Sequence, residues 1–135
     1  MKLRRPKPDK SKFINAAAVE GKRDFDRERP TFCLRCIDPD FCITACGTED
    51  KANFAEKIRR MSQMTWVELR TAPRHGMGAE KIERAEIRRP IPDEVPEDAT
   101  LLAFRFSGKK AMVGYRMRGM FHILWFDRDF TLYDH

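Results

Sequence analysis

The sequence lacks any apolar run close to the ~20 residues that a bilayer-spanning helix needs. Its first residues, MKLRRPKPDK, also lack the apolar stretch of a secretory signal peptide. Internal repeats, low-complexity tracts and recognisable nucleotide or cofactor motifs are missing as well. These absences predict a cytoplasmic protein without membrane association, and they count against an enzyme that uses a nucleotide cofactor.

The 135 residues include 27 Lys and Arg and 21 Asp and Glu, so the net charge is +6. This length corresponds to one domain, and a 41% share of hydrophobic residues with ten Phe is enough for one packed core. The positive charge is concentrated in residues 1–10, 51–75 and 101–135, whereas 31–50 and 76–100 are acidic. Such segregation suits a polyanion-binding surface and predicts a nucleic-acid partner. Ordinary solvated faces are the alternative.

Two periodicities define the fold class. Phe54, Ile58 and Met61 follow helical spacing, and Thr65 with Glu68 forms a capping box that predicts a second helix over residues 66–72. In the last 35 residues, apolar and polar positions alternate between turns, which predicts strands near 102–106, 113–117, 121–126 and 130–133.

The predicted fold is therefore α+β, with short helices packed on a C-terminal three- to four-stranded antiparallel sheet. Residues 31–135 form this single domain. Residues 1–30 are predicted to be a basic, partly flexible N-terminal arm with one short helix between Ser11 and Gly21.

Four cysteines, Cys33, Cys36, Cys42 and Cys46, follow the pattern C-x2-C-x5-C-x3-C. Four thiolates at such spacing can hold a zinc ion tetrahedrally. However, a strand through residues 31–37 would direct Cys33 and Cys36 to opposite faces. Free cysteines that pack as small hydrophobes are the alternative, in which case the protein has no cofactor.

A basic loop, Pro-Arg-His-Gly-Met-Gly at residues 73–78, contains Arg74 and His75 and is followed by Lys81. Its glycines allow the backbone to approach a ligand closely, and its cations suit a phosphate. His75 can act as an acid or base near neutral pH. The alternative interpretation is a helix C-terminus, where Arg and His offset the helix dipole and Gly supplies the cap.

The predicted sheet offers a second cluster. Arg116 and Arg118 alternate with apolar residues, and His122 on the next strand can join them if the register allows. A row of Arg with His can bind an RNA backbone and assist in-line attack by a 2′-hydroxyl. The solvated face of a half-buried sheet is the alternative. Residues 133–135 are expected to fray, which makes rigid catalysis there harder.

Three segments, APRHGMGAEKI (72–82), LLAFRFSGKKAMVGYR (101–116) and FHILWFDRDFTLYDH (121–135), resemble a family of small uncharacterised bacterial proteins over about residues 31–135. That resemblance implies no particular function.

The C-terminal third is also similar, in its order of elements, to the RelE/ParE superfamily of small bacterial toxins. In the ribonuclease branch of that superfamily, basic and aromatic sheet residues cut messenger RNA in the ribosome. The resemblance implies that Arg116, Arg118 and His122 lie in the last core strands and that Tyr133 is the C-terminal aromatic residue.

We therefore expect an RNA-binding protein of toxin type, with metal-independent endoribonuclease activity as its enzymatic form and RNA or the ribosome as its target. His75 or His122 would move the proton. The residues expected to bind nucleic acid are Arg74, Lys81, Arg116, Arg118 and Tyr133. An antitoxin-like protein partner is expected on the basic face. The alternative is a non-catalytic interaction module that binds a protein or nucleic acid through the same face.

Overall fold

A computed structural model describes residues 23–135 and has a five-stranded sheet as its central layer. The strands are β1 (Thr31–Cys33), β2 (Ala79–Ile82), β3 (Leu101–Ser107), β4 (Lys110–Met117) and β5 (Met120–Asp127). Their order across the sheet is β1-β5-β4-β3-β2. β1 runs parallel to β5, and the other neighbouring strands are antiparallel. The short helix predicted between Ser11 and Gly21 lies outside the described residues.

The α+β class is confirmed, but the prediction of a three- to four-stranded antiparallel sheet is wrong, because the sheet has five strands and is mixed. Two short edge strands complete the sheet: β1 covers the first three residues of the strand predicted over residues 31–37, whereas β2 was not predicted, because four residues show little alternation. The predicted strand at 130–133 does not form. There the backbone N–H groups of Thr131 and Leu132 donate to the Asp127 carboxylate instead of to a neighbouring strand.

Both predicted helices are confirmed as α1 (Thr48–Met61) and α2 (Trp66–Thr71). The capping box is present, since the Thr65 hydroxyl accepts from the Glu68 backbone N–H and the Glu68 side chain accepts from the Thr65 backbone N–H. Neither helix is long and apolar enough to span a membrane, as far as residues 23–135 are concerned. Short 3-10 helices occur at Phe25–Arg27, Pro39–Phe41, Ile43–Ala45 and Arg84–Glu86.

The sheet is covered on both faces. On one face, helix residues pack against strand residues in a single cluster that includes Met61, Trp66, Leu69, Phe104, Met112, Phe121, Ile123 and Phe126. On the other face, loop and C-terminal residues complete a second cluster that includes Val95, Ala103, Val113, Tyr115, Trp125, Leu132 and Tyr133. Both faces of the sheet therefore carry a packed core and not a broad solvated surface.

A bulge in β5 shapes its contact with β4. Val113 pairs with Trp125 and Gly114 pairs with Ile123, so Leu124 is the extra residue. The backbones come very close here, because a Cβ added at Gly114 would lie 1.8 Å from the carbonyl oxygen of His122. Only glycine fits at this position without displacing the strand.

Gly114→Ala should therefore destabilise the fold by about 3 kcal/mol or more, since the new methyl group meets backbone and not a movable side chain. Gly76→Ala is the matched control, because its added Cβ meets nothing closer than a carbonyl at 3.7 Å. Urea unfolding of both variants measures the difference. Equal stability of the two variants would contradict the close approach at Gly114.

Candidate functional site

Two cavities adjoin at Arg105, near the end of β3. β2 pairs with β3 only as far as Phe104, so the remainder of β3 has a free edge beside β2. The first cavity, of about 320 Å³, lies on the face away from the helices, and the second, of about 300 Å³, lies beside α1. Arg105 lines both cavities and is therefore the residue that they share.

The first cavity is predominantly cationic. Its polar lining consists of Arg74, Glu80, Arg105, Lys109, Tyr133 and His135. Arg74 forms an ion pair with Glu80, with 3.1 Å between Nη1 and Oε1. Within residues 23–135, neither Arg105 nor Lys109 forms an ion pair with a carboxylate. Two cations are therefore available to an anionic ligand.

His135 is held against a fully buried carboxylate. Its Nε2 lies 2.8 Å from Oδ2 of Asp127, whose side chain is 0% exposed. The other Asp127 oxygen accepts hydrogen bonds from the backbone N–H groups of Thr131 (2.9 Å) and Leu132 (3.1 Å). An ionised carboxylate oxygen only accepts, so Nε2–H is the donor in this bond. The expected fraying of residues 133–135 is thus opposed by a buried anchor.

Tyr133 lies beside this pair. Its ring centroid is 4.1 Å from that of His135, and burial raises the pKa of its hydroxyl to about 12. The carboxylates of Glu80 and Asp127 act in the same direction, whereas Arg105 opposes them. The Tyr133 hydroxyl therefore stays protonated at neutral pH and can donate a hydrogen bond.

The second cavity lies between α1, the 73–78 loop and the β3–β4 turn. Lys57, Arg60 and Arg105 supply its positive charges, and Glu56 and His75 also line it. Lys57 is only 8% exposed, and its Nζ donates to the Gly76 carbonyl at 3.1 Å. Burial lowers the pKa of Lys57 from 10.5 to about 8, and the Arg60 charge adds to this effect.

A polar network fixes α1 against the β3–β4 turn. Asp50 accepts from the Ser107 hydroxyl and from Lys110 Nζ, both at 2.7 Å. The hydrogen bond from Lys110 is the largest cause that holds the pKa of Asp50 below its usual range. The side-chain amide of Asn53 donates to the Ser107 hydroxyl at 3.0 Å. These bonds set the position of α1, and so of Lys57, relative to the turn.

The 73–78 loop supplies Arg74 to the first cavity and His75, Gly76 and Met77 to the second. The N–H groups of Gly76 and Gly78 both donate to the Pro73 carbonyl, at 3.0 and 2.9 Å. The helix-end interpretation of this loop is wrong, because α2 ends at Thr71 and Gly76 does not have the positive φ of such a cap. Arg74 lines the first cavity and His75 lines the second.

Four other residues expected at the site lie elsewhere. Arg116 is on the helix face, with its guanidinium carbon 4.4 Å from the Trp66 ring centroid and an ion pair of 2.6 Å to Asp26. His122 pairs with Tyr115 in the strand register, stacks on its ring, and therefore faces the opposite side of the sheet from Arg116. Burial lowers the pKa of His122.

The predicted row of Arg and His is therefore not brought together. Arg118 lies at the β4–β5 turn with a φ of 55°. Lys81 borders a small, mostly apolar cavity beneath α2 that Arg116 also lines. The row does not form because other residues pack on both faces of the sheet, which leaves no broad solvated sheet surface in residues 23–135.

The four cysteines are free thiols that are divided between the two sides of the sheet. Cys46 is buried in the helix-face cluster, whereas Cys36 packs against the cluster on the opposite face. Burial raises the pKa of the Cys46 thiol. Among residues 23–135, no three His, Cys, Asp or Glu side chains are grouped so as to hold a metal ion. Zinc binding by Cys33, Cys36, Cys42 and Cys46 stays a prediction that this arrangement does not support.

Sequence reasoning missed Lys57, Asp127 and His135. A signal existed for Lys57, which lies three residues after Phe54 and four before Met61 and so falls on the apolar stripe of α1. A charged residue at such a position indicates a buried cation. No comparable signal joined Asp127 to His135, because their contact depends on a turn of irregular backbone.

Comparisons of the chain with protein-family models, curated proteins and solved structures gave no match.

Asp127→Ala should lower the free energy of unfolding by about 3 kcal/mol, because it leaves two backbone N–H groups and His135 without their acceptor. Asp129→Ala is the control, since Asp129 is exposed and pairs only with Arg128. Denaturant unfolding gives both values. Hydrogen exchange at Leu132 should accelerate in the first variant, and unchanged exchange there would contradict the anchoring role.

Lys57→Met should stabilise the protein by about 2 kcal/mol at pH 7, because the variant no longer buries an ammonium group. The folded-state pKa lies below the unfolded value, so wild type gains stability relative to the variant as the pH rises from 8 to 10.5. Unfolding in urea at pH 7 and pH 10 tests this, with the exposed Lys51→Met as control. A variant less stable than wild type at pH 7 would show that the Gly76 contact outweighs desolvation.

Proposed function

We propose that this protein is a cytoplasmic RNA-binding protein of toxin type that cleaves RNA without a metal ion, at the first cavity. The supporting observation is the convergence of two cations free of carboxylate partners, a carboxylate-bound histidine and a protonated tyrosine around one space of about 320 Å³. A cavity of this size is at the lower end of the range for ligand sites. Its charge favours a phosphodiester over a neutral ligand.

The cations supply the binding. Arg105 and Lys109 would contact the non-bridging oxygens of the phosphodiester, with Arg74 at the rim where Glu80 partly neutralises it. As the phosphorus becomes five-coordinate, negative charge grows on these oxygens, and fixed cations then bind more strongly than they do in the ground state. Phe130, on the same wall, offers a ring on which a base can stack.

His135 supplies the base. Its Nδ1 would take the proton of the ribose 2′-hydroxyl while that oxygen attacks the adjacent phosphorus. The bond from phosphorus to the 5′-oxygen breaks, and the leaving oxygen takes a proton from Lys109 or the Tyr133 hydroxyl. The products are a 2′,3′-cyclic phosphate and a 5′-hydroxyl. Because the attacking oxygen belongs to the RNA itself, the step needs no metal-bound water.

This proposal changes the catalytic assignment. His75 and His122 do not line the first cavity, and His135 takes the role expected of them. Arg74 and Tyr133 retain their expected part in RNA binding. RNA or the ribosome stays the proposed target, and an antitoxin-like partner would inhibit by placing acidic side chains over Arg105 and Lys109.

Asp127→Asn is the sharpest test, because the amide oxygen can still accept from Thr131 and Leu132 while its NH2 donates to His135 Nε2. The proton of His135 then moves to Nδ1, so the imidazole can no longer act as the base. The cations that line the first cavity are unchanged. We expect RNA cleavage to fall by about 100-fold or more, with RNA binding retained. Induced expression of the variant should no longer slow growth.

Asp129→Asn makes the same chemical change two residues away and should cleave like wild type. His135→Ala should match Asp127→Asn in activity. If wild type neither cleaves RNA nor slows growth but binds RNA in a salt-dependent way, the alternative of a non-catalytic interaction module replaces the enzyme. Cleavage by Asp127→Asn at the wild-type rate would remove His135 as the base.

A further inference from the structure

The second cavity contains a buried ammonium group that forms no ion pair within residues 23–135, although Glu56 also lines the cavity. Lys57 is 8% exposed, and in the part of the chain that the structure describes it has no ion-pair partner. The nearest acid on its own helix, Glu56, is already held by Arg59 through two contacts of 3.1 and 2.6 Å. Buried lysines are ordinarily paired with an opposite charge, because an unpaired buried charge is costly. An anionic ligand beside Lys57 would lower this cost.

The contacts of Lys57 leave room for such an anion. An ammonium group has three N–H donors. One is directed to the Gly76 carbonyl at 3.1 Å and another to the Met77 sulfur at 3.7 Å. The third is available to a ligand in the cavity, whose wall also carries Arg60, His75 and Arg105.

The two cavities belong to one binding path. Arg105 lines both, and the 73–78 loop places Arg74 at the first and His75 at the second. A polyanion bound across the end of the sheet would therefore meet cations in both cavities. Phosphates recur along a nucleic-acid backbone, so a strand with one phosphate in the first cavity has others nearby.

We infer that the second cavity is a phosphate subsite, centred on Lys57, that binds the RNA phosphate next to the one cleaved. This inference rests on the proposed function for its substrate, although phosphate binding at Lys57 can be measured without any cleavage. The subsite makes the protein prefer substrates with a phosphate on one particular side of the scissile bond.

Binding is tested first with inorganic phosphate, followed by NMR at the amides of Gly76, Met77 and Ser107, which border the second cavity. Wild type should show saturable shifts, and Lys57→Met should weaken binding at these amides by about tenfold or more, since one charge-assisted hydrogen bond is lost. Lys51→Met removes the same charge from an exposed position of α1 and should bind like wild type. Equal phosphate affinity in wild type and Lys57→Met would overturn the subsite.

Cleavage is tested with three substrates, UpU, pUpU and UpUp, where the second and third carry an additional phosphate on the 5′ or the 3′ side. One of the two should exceed UpU in kcat/KM by about tenfold, mainly through a lower KM. Lys57→Met should abolish this advantage, and Lys51→Met should keep it. An advantage that survives in Lys57→Met would overturn the assignment of the subsite to Lys57.

The two proposals fail in different ways. If wild type cleaves none of these substrates, the endoribonuclease proposal is wrong, and the phosphate titration alone decides the subsite. If wild type cleaves all three equally well and binds phosphate only at the first cavity, the endoribonuclease survives and the subsite is wrong. Thermal unfolding of both lysine variants checks that each is folded.

Discussion

The end of the sheet beside the first cavity depends on the hydrogen bonds of the buried Asp127 carboxylate. Asp127 is the last residue of β5, and its carboxylate accepts two backbone hydrogen bonds and one from His135. These bonds stabilise the reversal of the chain that follows the strand. Because those N–H groups are satisfied by a side chain, residues 130–133 need no neighbouring strand. They fold back, and Leu132 and Tyr133 join the core on the face opposite the helices.

Asp127 and Lys57 show two different ways in which a protein holds a buried charge. The carboxylate receives hydrogen bonds on both oxygens, which offsets the cost of removing it from water. The ammonium group donates to a carbonyl and a sulfur and forms no ion pair within residues 23–135, and burial lowers its pKa. A satisfied charge organises the fold around itself, whereas an unsatisfied charge at a cavity favours an anionic ligand.

Much of the scaffold was predictable because its signals are local. Helical spacing of Phe54, Ile58 and Met61 and the Thr65–Glu68 capping box depend on neighbours within a turn or two, and both helices formed as expected. Alternation likewise predicted the three long strands. The edge strand β2 was missed because four residues carry too little pattern. A strand over residues 31–37 was predicted and forms at residues 31–33, but its parallel pairing with the distant β5 was not predicted.

The candidate site was predicted only in part, because the strand register determines which side chains share a face of the sheet. Arg74, His75 and Tyr133 line the two cavities, and their roles toward RNA stay predictions. Arg116 and His122 do not come together, because the pairing of Tyr115 with His122 sends Arg116 to the other face. The helices, the long strands, the net charge and the basic loop could be predicted from the sequence, because each depends on residues close together in the chain. Which charged side chains are buried, and which of them lie close together, depends on the tertiary structure. The contact of Asp127 with His135 and the position of Arg105 between the two cavities arise from the strand pairing and from the way the chain folds back on the sheet.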